Sequence, residues 1–301
     1  MEHLSLEIDF LNDWHQILVT QLNAMGYVAS QQESRDTLCQ RFINLKRRMI
    51  SPRPRQIYRS AELNCPPGLQ AGLDTVTEKL KQGEDVKPHL HTRIATDPDY
   101  YDGLLDDWGI HHLHLGTKVW KDGFMARTNE VLFVRVTDDA AYVLQVLPHK
   151  NAIDPDLGNW VNSELLKIIH RNWPDSIARY RFPTGIRLAQ SISDRDRQRA
   201  RPYVALPTEV DGVVFMPLGG GATTAGVGVE TVEICDQITH GIVSYQATVT
   251  GEIRQFTDQI TLRGTAVPDP LIIRLRMDGD QNLHAVEPQS GVSMKLGTFL
   301  I

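Results

Sequence analysis

The sequence predicts an α+β protein with a helical N-terminal region, a central antiparallel sheet flanked by helices, and a C-terminal all-β sandwich or barrel. Three observations carry that expectation. Apolar residues recur at helical spacing up to about residue 85, strand patterns follow between residues 110 and 147, and Val, Thr, Ile and Gly fill short segments after residue 201. At 301 residues the chain exceeds one average domain. The shifts in composition divide it into 1–85, 86–190 and 201–301, with 191–202 as the linker.

Each element has its own signal. Ile8, Leu11, Ile17, Leu18 and Leu22 trace one helical face, and Gly26 stops that helix. A second helix starts at Ser34, a good N-cap, runs through Leu38, Phe42 and Leu45, and is ended by Ser51-Pro52-Arg53-Pro54. A third covers 69–81 and closes at Gly83. A short helix over 100–107 leads into Ile110-His111-His112-Leu113-His114-Leu115, bounded by Trp108-Gly109 and Gly116-Thr117, which reads as a strand. Period two places His112 and His114 on one face with Ile110, and His111 on the other with Leu113 and Leu115. Residues 129–136 and 141–147, joined by an acidic turn at 137–140, form a hairpin. Asp154-Pro155 opens an amphipathic helix that carries Leu157, Val161, Leu165, Ile168 and Ile169 and ends near Trp173-Pro174. Beyond residue 201, strands are expected at 213–216, 227–234, 241–250, 259–263 and 271–277, with turns at 250–251 and 278–280.

Composition excludes several classes of function. Cys39, Cys65 and Cys235 form no CxxC pair, which argues against a disulfide framework or a cysteine-rich zinc site and suits a reducing cytoplasm. Glu2, Glu7 and Asp9 stand where a secretion signal would be basic and then apolar, so none is expected. The longest uncharged stretch, 212–229, is broken by Pro217 and six glycines, so a soluble protein without a membrane helix is expected. A net charge of −6 does not attract nucleic acid as a whole. Locally, Arg41, Lys46, Arg47, Arg48, Arg53, Arg55 and Arg59 fall together with no acid among them, and Arg47, Arg48 and Arg53 are the expected phosphate contacts.

Histidine is the best functional signal. Seven of the eleven histidines lie between His89 and His170. Two imidazoles roughly 7 Å apart along a strand can grip a metal ion or bracket a phosphate as an acid and base pair. For in-line cleavage of RNA, His112 and His114 would serve as acid and base, Arg127, Lys118 or Lys150 as the cation, and His149 could replace either histidine. No cofactor is needed for that chemistry. The alternative is a divalent transition metal on the triplets His89-Leu90-His91 and His112-Leu113-His114, with Asp102, Asp106 or His149 completing the set. A third reading keeps the histidines structural, in a binding or assembly protein whose C-terminal β domain docks on a protein partner. His170 suits a helix C-terminus, the glycines at 219–226 suit a strand connection, and Cys235 has no basic neighbour to make it a nucleophile.

Arg127-Thr128, the strand 131–136, Asp138-Asp139, the strand 142–147 and Pro148-His149-Lys150 resemble the hairpin and terminal basic residues of the RelE/barnase-like ribonuclease superfamily. The resemblance covers residues 127–150 only and does not extend to the His112/His114 strand. It implies RNA cleavage, in a toxin or in phage defence, with roles for Arg127, His149 and Lys150. The sequence is thus read as a cytoplasmic α+β nuclease acting on RNA.

Overall fold

In the computed structural model, which describes residues 5–120, 122–149, 162–190, 192–200 and 206–299, the chain forms two compact units. One takes residues 1–43 and 233–301, and the other is the continuous segment 44–232. The α+β class holds, whereas the expected boundaries near residues 85 and 191–202 both fall inside the second unit. In chain order the helices are α1 (Phe10–Ala24), α2 (Arg35–Arg48), α3 (Gln70–Gln82), α4 (Arg93–Thr96), α5 (Gly103–Trp108), α6 (Ser163–Asn172), α7 (Asp194–Ala200), α8 (Val229–Gly251) and α9 (Ile253–Leu262). The strands are β1 (Leu6–Ile8), β2 (Gln56–Arg59), β3 (Ile110–His114), β4 (Glu130–Val136), β5 (Ala140–Pro148), β6 (Thr208–Val210), β7 (Val213–Phe215), β8 (Leu271–Met277), β9 (Asn282–Val286) and β10 (Ser293–Thr298).

In the first unit the sheet order is β1-β8-β9-β10, with β1 parallel to β8 and the rest antiparallel. Phe10, Trp14, Leu18 and Leu22 recur every fourth residue and are fully buried, so α1 presents one apolar stripe. Asp13 Oδ2 accepts the Leu275 amide at 2.7 Å and fixes α1 on β8. Trp14, Phe42 and Phe299 pack their rings at centroid separations of 5.3 to 6.5 Å.

The C-terminal region corrects the expected sandwich. Most of 227–234, 241–250 and 259–263 is helix, in α8 and α9, whereas the strands expected at 213–216 and 271–277 are found, as β7 in a small hairpin with β6 and as β8 in the meander β8–β10. The buried positions of α8 are Thr231, Cys235, Ile242 and Val249, spaced by four and then by seven, which is a helical face. Burial of that face outweighs the weak strand preference of its Val, Thr and Ile residues.

The second unit is built on a sheet of order β2-β5-β4-β3. β3, β4 and β5 are antiparallel as expected, and β2, drawn from the basic segment, adds a parallel edge. On one face, Leu73, Val76 and Leu80 of α3 pack with Leu113, Leu132, Val134 and Val143. On the other, Leu165, Leu166 and Ile169 of α6 pack with Ile110, Val131, Phe133 and Leu144. β3 thus alternates as its sequence predicts, with Leu113 and Leu115 in the first layer and Ile110 in the second. Asn162 caps α6 through the Glu164 amide, and the expected start at Asp154-Pro155 lies outside the described residues. Among the described residues, no helix is long and apolar enough to cross a membrane.

Candidate phosphate site

Four imidazoles and one guanidinium meet at one end of the second unit's sheet. His112 and His114 sit on β3 opposite Phe133 and Val131. His149 follows β5, where its amide donates to the Asn129 carbonyl at 2.7 Å and places it beside the start of β4. Arg127 lies just before that start, and His91 lies between a 3-10 turn (Lys87–His89) and α4. Ring centroids are 5.4 Å apart for His112 and His149, 5.8 Å for His114 and His149, and 6.2 Å for His91 and His112. Arg127 NH2 is 3.2 Å from His91 Nε2. His114 is buried, His91 and His112 are half-buried, and His149 and Arg127 are exposed, so the cluster opens on one side.

Neighbouring groups hold this geometry. His89 is fully buried and its Nδ1–H donates to the His114 carbonyl at 2.8 Å, which anchors the end of β3. Tyr100 stacks on His91 with ring centroids 6.4 Å apart, and the guanidiniums of Arg93 and Arg48 lie 4.5 and 5.1 Å from the Tyr100 ring. At Gly116 a Cβ would lie 2.1 Å from the Ala126 carbonyl oxygen, so only glycine lets the chain leave β3 so close to the segment carrying Arg127.

Burial, reinforced by the surrounding positive charge, keeps the imidazoles neutral. His112 is pushed down to about 4 by burial and then by His149 and Arg127. His114 falls to about 3, with burial first and His112 next, and His91 to about 4, with burial first and Arg127 next. His149 is also lowered, again chiefly by burial.

Hydrogen bonding fixes where the remaining protons sit. His114 Nδ1 accepts the Thr128 amide at 3.4 Å, and His91 Nδ1 accepts the Arg93 amide at 3.0 Å. A neutral imidazole that accepts at Nδ1 carries its hydrogen on Nε2. His114 therefore presents an Nε2–H donor, whereas His91 faces N–H groups at both nitrogens, because the Arg127 guanidinium beside its Nε2 can only donate. His114 Nε2 and His112 Nε2 are buried with no hydrogen-bond partner. An unpartnered donor on His114 and the Arg127 cation near it suit an oxyanion.

The same tautomers weigh against the ligand set His89, His91, His112 and His114. A ligating imidazole gives the lone pair of one ring nitrogen, Nε2 or Nδ1, to the metal and donates the N–H of the other to an acceptor. At His91 and His114, a backbone amide faces Nδ1 instead, and His89 is committed to the backbone of β3. Among the described residues, no group of three or more His, Cys, Asp or Glu is placed to hold a metal ion. Asp102 caps α5 through the Leu104 and Leu105 amides, and Asp106 is in an ion pair.

Arg47, Arg48 and Arg53 of the basic segment are each engaged with partners within the protein. Arg47 is buried, bonding Asp106 at 2.6 Å, Glu230 at 2.8 Å and the Thr231 hydroxyl at 2.9 Å. Arg48 donates to the Asp97 carbonyl at 2.7 Å, and Arg53 pairs with Asp138 at 2.8 Å. These partners are distant in sequence, so the charge run looked uncompensated only in one dimension. The glycines expected at 219–226 to form a loose connection pack against the Arg47–Asp106 ion pair: the Gly219 carbonyl accepts from Arg47 at 3.4 Å, the Gly221 amide donates to the Asp106 carbonyl at 2.7 Å, and a Cβ at Gly219 would lie 1.9 Å from the Leu105 carbonyl oxygen.

Of the other expected residues, Lys118 is exposed on the segment after β3, and Lys150 lies outside the described residues. His111 takes the opposite side of β3, and burial pushes it down to about 4. His170 does lie in the last turn of α6, but burial lowers its pKa and it packs edge-on against Phe215, so it is not the charged partner of a helix dipole. The Cys235 thiol is raised by its hydrogen bond with Cys39 and by burial, in keeping with an unreactive thiol. Sequence reasoning missed Tyr100 and the tautomers. Comparison with family models, curated proteins and solved structures finds no match to this chain.

Proposed function

We propose that His91, His112, His114, His149 and Arg127 bind one phosphodiester of an RNA chain and cleave it by attack of the adjacent 2′-hydroxyl, without a metal ion. The observation that carries this reading is the convergence of the His112 and His149 imidazoles with the Nε2–H donor of His114, the His91 ring and the Arg127 cation. The reaction needs a base for the 2′-hydroxyl proton, an acid for the departing 5′-oxygen, and positive charge facing the phosphorane. His112 and His149 divide the first two tasks. His114 joins Arg127 in the third, because its Nδ1 lone pair is already engaged, and His91, whose Nε2 faces the Arg127 guanidinium, orients that cation. As the 2′-oxygen–phosphorus bond forms, the bond to the 5′-oxygen breaks. One proton passes to the base and another leaves the acid, giving a 2′,3′-cyclic phosphate and a 5′-hydroxyl.

This moves His114 from proton transfer, expected from the strand alone, to phosphate binding. The resemblance of residues 127–150 to RelE/barnase-like ribonucleases supports the roles given to Arg127 and His149, and with them a toxin or phage-defence setting. Such an enzyme belongs in the cytoplasm, where RNA is at hand and the unbridged cysteines stay reduced.

The acidity of the site sets the expected pH dependence. With His112 near 4 and His149 below its ordinary value, few free molecules at neutral pH hold the single proton that the mechanism needs. Since kcat/KM reports the free enzyme, it is expected to rise as pH falls from 7 toward 5, by up to about tenfold per unit, and to drop once both imidazoles are protonated. Bound phosphate raises both pKa values, so the limb in kcat lies at higher pH. EDTA is expected to change nothing. Initial rates on a dinucleotide over this range, with a chelated arm and end-group analysis, test the reading; a rate that climbs toward alkaline pH, or 3′-hydroxyl products lost on chelation, overturns it.

A further inference from the structure

We infer that Trp120 stacks on an unpaired base next to the bound phosphate and so makes the site selective for single-stranded RNA; this rests on the reading of the site given above. Trp14 and Trp108 are core residues, whereas Trp120 is 56% exposed and its neighbour Val119 is 61% exposed. Both lie on a small hairpin that joins β3 to Arg127. Its ladder is regular: the Ala126 amide donates to Lys118, the Trp120 amide to Phe124, and Val119 bridges Met125. It is also anchored. Phe124 is buried with the core on the α3 side, and the Met125 amide donates to the Pro88 carbonyl at 2.8 Å, beside the segment that carries His89 and His91.

An exposed indole on an anchored hairpin is therefore held at a fixed place relative to the imidazoles. Phe124, which pairs with Trp120, lies three residues before Arg127, a rise of roughly 10 Å along a strand. That is within reach of a nucleotide adjoining the phosphate. Exposed Lys118 on the same hairpin adds positive charge near the backbone. An aromatic face beside a cationic groove is the arrangement by which proteins hold splayed bases, and a duplex, whose bases are already stacked and paired, cannot use it.

The test measures binding rather than cleavage. A 2′-O-methyl hexanucleotide, single-stranded or annealed to its complement, is titrated into wild-type protein and the Trp120→Ala and Trp120→Phe variants, with inorganic phosphate as a separate probe. Trp120→Ala is expected to weaken single-strand binding by about 5- to 150-fold, the measured range for one stacked base. Trp120→Phe should keep most of the affinity, and the phosphate affinity and the weaker duplex affinity should not move. A folded Trp120→Ala protein that binds the single strand as wild type does, or a wild type that binds duplex as tightly as single strand, overturns the inference. Trp120-dependent binding without any cleavage of a ribo-oligonucleotide would uphold stacking and sink the nuclease reading.

Discussion

His112→Gln is expected to lower RNA cleavage by about 10²- to 10⁴-fold, the usual contribution of a positioned acid or base, while leaving oligonucleotide affinity close to wild type. Glutamine fills much of the imidazole's volume and keeps polar atoms, but it does not exchange a proton near neutral pH. His114 should answer differently. Its role is to present an N–H donor, so His114→Gln, which can still donate, is expected to retain more activity than His114→Ala, and the loss should fall on substrate affinity. Steady-state kinetics of the three variants, with thermal melts to establish folding, separate the roles. A folded His112→Gln enzyme with wild-type turnover removes His112 from the chemistry, and equal losses in the two His114 variants remove the donor argument.

The second large effect concerns stability. Arg47 and Asp106 are 7% and 2% exposed in their side chains and bond at 2.6 Å. Desolvation lifts the Asp106 carboxyl to about 6 against the pull of Arg47, so it is still ionised at neutral pH. Asp106→Asn leaves the guanidinium buried with only the half-exposed Glu230 as counter-charge. Breaking one side of a buried pair costs about 3–5 kcal/mol, and for a unit of this size each kcal/mol lowers Tm by roughly 2–4 °C. Replacing both partners by apolar residues, as in Arg47→Met with Asp106→Leu, strands no charge in this pair and is expected to recover most of the loss. Urea unfolding of the two proteins decides it: an Asp106→Asn midpoint indistinguishable from wild type would make the pair a bystander.

How far the sequence could be read depends on the range of the interactions involved. The α1, α2 and α3 helices follow from local spacing and from caps such as Ser34 and Gly83, and β3 follows from strict alternation around His112 and His114. Each of those signals lies within a few residues. The C-terminal helices were missed because Val, Thr and Ile were weighed by type, although Thr231, Cys235, Ile242 and Val249 already carried a helical spacing. The fate of Arg47 was not legible at all, since its partners Asp106 and Glu230 are 59 and 183 positions away. At the site, Arg127 and His149 follow from their places beside the strands and from the resemblance, and His91 from a metal-binding pattern. That His114 carries its hydrogen on Nε2 depends on the Thr128 amide, which only the folded chain places.

Arg47 lies near the beginning of the segment 44–232, and Glu230 and Thr231 lie at its end, so a single guanidinium clasps the two ends of the second unit's chain. During synthesis every residue of this unit has been made once residue 232 is added. The other unit then still lacks residues 233–301, which take roughly 3–14 s to make at ordinary elongation rates. For that interval α1 has no β8 to receive Phe10, Trp14 and Leu18, while the imidazole cluster already has every residue it needs. Vectorial synthesis thus puts every residue of the imidazole cluster on the chain before α1 has its sheet partner.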